Sequence, residues 1–123
     1  MIYLQQDFDL QPASPRTRDA FVALAQETLV PAAERHGARL VAAFFSNSEW
    51  FFRMTHFLEL PSLGAFEAWR AGCRGDAAAR DAASRAEALA PARRETLLES
   101  FEAIPVEALA RGIESAREKP QGI

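Results

Sequence analysis

The eleven residues Trp50-Phe51-Phe52-Arg53-Met54-Thr55-His56-Phe57-Leu58-Glu59-Leu60 decide the fold. Successive side chains of a strand point to opposite faces, so the run can be sorted by parity. Trp50, Phe52, Met54, His56, Leu58 and Leu60 take one face, and Phe51, Arg53, Thr55, Phe57 and Glu59 take the other. The first face is apolar except for His56, and the second still carries two Phe residues. A strand of that kind is covered on both sides.

Just upstream, Leu40 to Phe45 is a compact apolar strand and Asn47-Ser48-Glu49 is a turn. Two strands joined by so few residues form an antiparallel hairpin. Ile2 to Leu10 reads as an earlier strand, with Ile2, Leu4, Phe8 and Leu10 on one face and Gln6 interrupting them. Tyr3, Gln5, Asp7 and Asp9 take its other face, and Gln11-Pro12 closes the segment, because proline lacks the N–H a ladder needs.

Ser14-Pro15 opens a helix, with serine as the N-cap and proline in the first turn. Phe21, Leu24, Ala25 and Thr28 follow at helical spacing. Pro31 falls inside this pattern and should kink or restart the helix, which then runs to His36 and stops at Gly37. Pro61-Ser62 opens a second helix, with Leu63, Phe66, Trp69 and Cys73 on one side. Asp76 caps an alanine-rich continuation that ends near Pro91 and is expected to lie flat on the surface. Glu95 to Ile104, with Leu97, Leu98 and Phe101, reads as the fourth strand, and Val106, Leu109, Ala110 and Ile113 mark a short amphipathic helix before a polar tail.

The order is β-α-β-β-α-β, a ferredoxin-like α+β domain with one four-stranded antiparallel sheet. Residues 1–104 form that domain, 105–118 the C-terminal amphipathic helix and 119–123 a flexible tail. With both helices on one face, the other face of the sheet stays bare while carrying Phe or Tyr. A second copy would cover it, so the expected state is a homodimer in which two sheets pair as an α/β barrel.

Composition bounds the function. The 123 residues suit one domain with its own core. Nine Phe in a chain that is 49% hydrophobic imply a generous core or a surface meant for a partner. The net charge is −3, and the arginines are interleaved with acids rather than gathered in a stripe, which disfavours nucleic acid. The single Cys73 rules out an internal disulfide and fits a reducing compartment. No signal-peptide pattern or membrane-length apolar run is present, so the expectation is a soluble cytoplasmic protein without a membrane partner.

His56 is the sharpest candidate residue, because a histidine on an apolar strand face can act as acid, base or ligand. The plainer use is a core histidine hydrogen-bonded to a neighbour. His36 precedes Gly37 at a helix C-terminus, where a cation is favourable for structural reasons alone. The two histidines lack the spacing of a metal site, so no metal and no cofactor are expected. Cys73, on the apolar side of its helix, reads as a small hydrophobe. Phe8, Phe44, Met54, Phe66 and Trp69 could line a pocket for a flat aromatic ligand, although aromatic stripes at such spacings are more often core. Arg53 and Glu59 suggest a cross-strand ion pair at the dimer surface, with Glu49 at the end of the same strand and anion binding as a second use of Arg53.

Several short segments resemble the NIPSNAP-type branch of the dimeric α/β-barrel superfamily. They are Met1-Ile2-Tyr3, the proline late in the first helix, and His36-Gly37 followed 19 residues after the glycine by His56. Phe57-Leu58-Glu59-Leu60, Ser62-Leu63 and Glu95-Thr96 continue the likeness along nearly the whole chain. Glu49 stands where the family usually has a hairpin glycine, and Phe52 where it has an asparagine. The resemblance implies a dimer that binds an apolar or aromatic small molecule between sheet and helices. The alternative it implies is a cofactor-independent monooxygenase or isomerase acting on an aromatic or polyketide-like substrate, with His56 in proton transfer. Haem-binding relatives also exist, but Phe52 and Met54 crowd the same strand face as His56.

Overall fold

β1 (Ile2–Asp9) lies at the centre of the sheet, paired antiparallel with β3 (Phe52–Leu60) on one side and β4 (Ala92–Glu99) on the other. β2 (Arg39–Asn47) pairs antiparallel with β3, giving the order β2-β3-β1-β4. This computed structural model describes residues 1–48, 52–99 and 106–118. The expected ferredoxin-like α+β fold is the fold observed. Trp50, Phe51 and Glu49, along with the stretch from Ser100 to Ile104 assigned above to the fourth strand and the 119–123 tail, lie outside the described residues.

The first helical segment has three parts: α1 (Pro15–Leu24), a π-helical turn (Ala25–Leu29) and α2 (Val30–Arg35). Ser14 caps it, its Oγ accepting from the Thr17 N–H at 3.2 Å. The wide turn has a local cause. Pro31 has no N–H to give, and its ring would collide with the carbonyl four residues back in a regular helix. The backbone instead takes a longer loop, with the Val30 N–H donating to the Ala25 carbonyl. The expected kink at Pro31 is therefore a π turn immediately before it. Gly37, at φ +102°, ends the segment in the left-handed region that favours glycine.

α3 (Leu63–Gly75) and α4 (Ala77–Leu89) meet at Asp76, whose carboxylate accepts from the N–H groups of Ala78 and Ala79. α4 lies on the surface with one alanine stripe inward: Ala79, Ala82 and Ala86 are buried, its other positions are exposed or intermediate, and it packs against α1 and the π turn. Small side chains allow that close approach. β4 starts at Ala92, three residues before the start read from the sequence, because its pairing with β1 runs back to Asp9 opposite Ala92. The C-terminal helix α5 spans Val106–Glu118.

Along β3, Phe52, Met54, His56, Leu58 and Leu60 are buried, while Arg53, Thr55, Phe57 and Glu59 alternate with them at intermediate exposure. This is the parity read from the sequence, with the even-numbered face towards the helices. Two core clusters fill that side. One gathers Phe8, Phe21, Phe52 and Met54 near α1 and α4, and the other Leu4, Leu58, Leu60, Phe66 and Trp69 beneath α3.

Candidate functional site

The strand registers align one residue from each strand across the helix side of the sheet: Glu95, Gln6, His56 and Ala43. The neighbouring rows are Phe8–Met54–Phe45 and Leu4–Leu58–Leu40, one in each core cluster. A polar row thus separates two apolar ones. Gln6, which reads in the sequence as an interruption of β1, sits directly opposite His56 and donates from Nε2 to Glu95 Oε1 at 3.4 Å.

His56 is only 3% exposed. Its ring packs edge-on against Phe8 at 5.4 Å and tilted against Phe21 at 5.8 Å between centroids. Among the described residues no group hydrogen-bonds to its imidazole, so the plainer expectation of a tied core histidine does not describe it. Burial pushes its pKa below the ordinary histidine value, because the low-dielectric surroundings penalise the imidazolium. The ring is therefore neutral at pH 7, with one nitrogen able to accept a proton and the other to donate one.

A cavity of about 260 Å³ opens above this row, between the sheet and the helices. Its floor holds His56, Gln6 and Leu58, and Leu29 and Val30 enter from the wide turn and the start of α2. Trp69 and Cys73 come from α3, and Glu95 stands on the exposed edge strand β4. The volume is several times the ~30 Å³ share of one water in the liquid and larger than a ~150 Å³ apolar cavity that admits benzene.

Of the residues expected to meet at a pocket, the structure brings together His56 and Trp69. Trp69 is anchored by its own Nε1–H, which donates to the Ala33 carbonyl at 3.1 Å. Phe8 touches His56 from within the first core cluster, and Met54 is buried in the same cluster. Phe66 stacks on Trp69 at 6.0 Å without reaching the cavity. Phe44 must be removed from the set. It is 59% exposed on the opposite face of the sheet, edge-on to Phe57 at 5.9 Å. The cause is a register shift between Leu40 and Ala42, an extra residue at Val41 that reverses parity, so Phe45 rather than Phe44 faces the helices.

The other candidates have structural uses. His36 Nε2 lies 2.8 Å from Asp76 Oδ2, and Arg35 donates to the same oxygen at 3.0 Å. These two hydrogen bonds, the His36 one first, hold the Asp76 carboxyl well below the usual carboxylate range. Gly72 is required here, because a Cβ at that position would come within 2.5 Å of His36 Nδ1. Burial pushes the Cys73 thiol up, which disfavours the thiolate a nucleophile needs. Arg53 pairs across strands with Asp9 at 2.6 Å rather than with Glu59, which is held by Arg39 at 2.9 Å. Among the described residues no group of three His, Cys, Asp or Glu is placed to hold a metal ion, and no helix is long and apolar enough to cross a membrane.

Sequence reasoning missed Gln6 as a partner of this site, together with Leu29, Val30 and the arginines around the opening. Residues 6, 56 and 95 meet only through strand register, a long-range quantity that local pattern does not carry.

No protein-family model matches the sequence. No curated protein matches it either. Solved structures do. A NIPSNAP domain protein from Burkholderia xenovorans superposes with a TM-score of 0.71 at 12% identity, over 85% of this chain and 99% of that one. A NIPSNAP family protein of unknown function from Agrobacterium tumefaciens gives 0.69 at 17% identity, over 81% of this chain and 87% of that one. An antibiotic biosynthesis monooxygenase gives 0.56 at 14% identity, over 82% of this chain and 99% of that one. Identities this low speak to architecture, and on that ground the chain has the fold of the NIPSNAP domain proteins, as the short sequence motifs had indicated.

Proposed function

We propose that this is a NIPSNAP-type small-molecule-binding protein that takes a one- or two-ring apolar or aromatic compound in the cavity between sheet and helices. The observation that carries this reading is His56: a buried imidazole with no hydrogen-bond partner among the described residues, at the floor of a cavity. Among the described residues no fully enclosed side-chain nitrogen or oxygen lacks a partner, so the unbonded nitrogens of His56 open onto the cavity. A ligand hydroxyl or carbonyl would hydrogen-bond to the ring there, while Leu29, Leu58 and Trp69 would enclose the ligand's apolar body.

The working unit is a homodimer formed through the open face of the sheet. That face carries Phe44, Phe57, Tyr3 and Leu98, and several of its charged groups already have partners within the chain. Arg53 pairs with Asp9, and Asp7 accepts from Thr55 at 2.7 Å and from Gln5 at 3.2 Å. Charges already paired in this way can be covered by a second copy without leaving a lone buried ion.

A second reading makes His56 a proton acceptor in a cofactor-independent oxygenation or isomerisation of an aromatic or polyketide-like substrate. It is favoured by the neutral state of the ring and by the fold shared with an antibiotic biosynthesis monooxygenase. NMR spectra of the His56 ring and the Trp69 indole N–H, recorded with a set of one- and two-ring aromatic compounds, test the binding reading. It expects both signals to shift together with at least one compound, and a set that moves neither overturns it. Once a converted compound is known, a His56→Gln variant that binds it but no longer turns it over supports the enzymatic reading, and unchanged turnover removes it.

A further inference from the structure

The opening of the cavity has a charge opposite to that of the chain. Four arginines border it, Arg70 and Arg74 from α3, Arg80 from α4 and Arg93 from β4, against one acid, Glu95. The whole protein carries a net charge of −3. Asp76, which lies between Arg74 and Arg80 in the chain, does not offset them, because Arg35 and His36 hold its carboxylate.

The four are not equally occupied. Arg93 lies 3.3 Å from Glu95, Arg70 stands over the Phe66 ring at 5.6 Å, and Arg80 donates to the Arg74 backbone carbonyl at 2.7 Å. The Arg74 guanidinium has no hydrogen-bond partner among the described residues. Gathering like charges around one opening is unfavourable unless an anion shares it. A guanidinium is the side chain whose planar fork of donors matches a carboxylate.

Building on the binding reading above, we propose that the ligand of this cavity is an aromatic carboxylate. Its ring system lies over Leu58 and Trp69, and its carboxylate is held at the opening by Arg74 with Arg93 and Arg80. A polar substituent at the far end of the ring system meets His56. The cationic rim also draws such anions in from solution, an effect that weakens as salt is added.

The test compares 2-naphthoate with its neutral isostere 2-naphthamide by titration calorimetry at low salt. The proposal expects the naphthoate to bind at least about tenfold more tightly, a coupling of ~1.4 kcal/mol. It expects that preference to collapse to about twofold or less in the double variant Arg74→Gln/Arg93→Gln, with the affinity for the amide unchanged. Arg85→Gln, on α4 and paired with Asp81 away from the opening, should retain the full preference. Equal affinity for acid and amide overturns the anionic ligand but leaves the cavity as a binding site. A preference that survives in the double variant overturns the assignment to these arginines. No binding of either compound, with the Trp69 and His56 signals unmoved, overturns both this proposal and the reading beneath it.

Discussion

On the helix side of β3, Phe52, Met54, Leu58 and Leu60 are almost fully buried, whereas Phe44, on the other side of the same sheet, is more than half exposed. The two faces come from the same strands and carry comparable aromatic content. They differ in where their polar groups find partners. On the open face, Asp9, Arg53, Asp7 and Thr55 bond to one another across strands. On the helix side, Gln6 reaches Glu95 but His56 is left with aromatic rings and a cavity. A face whose polar groups bond to one another across strands is suited to meet another protein surface. One whose imidazole opens onto a cavity is suited to meet a small molecule.

The comparison breaks most sharply at Phe21, which is fully buried against Phe8 and His56. Phe21→Ala should cost about 3–5 kcal/mol of stability in urea unfolding. A loss below ~1 kcal/mol would mean that the helix side is not the core. On the open face, Phe44→Asp should leave the fold intact, as judged by circular dichroism, while weakening the dimer by at least ~2 kcal/mol, the scale of an interface hot spot. Sedimentation reads this directly, and wild-type protein that sediments as a monomer at micromolar concentration would refute the role assigned to that face. Gly72→Ala pushes a methyl into His36 and should cost ~1–3 kcal/mol; a neutral result would show that His36 can swing away.

The smallest effect is the pH dependence of His56. Its folded pKa lies below the unfolded value of about 6.5, so the unfolded chain takes up the proton more readily. Stability from this group is therefore complete above that value and declines as the pH falls below it. The melting temperature should fall between pH 7 and pH 5, and His56→Gln should flatten that part of the curve. An equal slope in the variant would assign the decline to other groups.

Much of the fold was legible because β3 alternates so strictly, and because Ser14, Gly37, Ser62 and Asp76 mark helix ends with specific chemistry. His56 stood out as the one polar residue on an apolar face. The rest of the site was not legible, for two physical reasons. The row Glu95–Gln6–His56 exists only through strand register, which joins positions as far as 89 apart. The extra residue at Val41 then reverses the faces of β2, so that Phe44 and Phe45 exchange the roles that alternation from Leu40 would give them. Local periodicity cannot reveal an inserted residue until a partner strand supplies the count.

The π turn at Ala25–Leu29 has a consequence for how this sequence can change over time. It is a helix carrying one residue more than the α register needs. Losing a residue such as the exposed Gln26 would restore regular winding and leave the flanking residues on their present faces, but the Pro31 ring would then meet a carbonyl it now avoids. Descendants of this chain should therefore tolerate point changes along the solvent side of the segment far better than any change in its length.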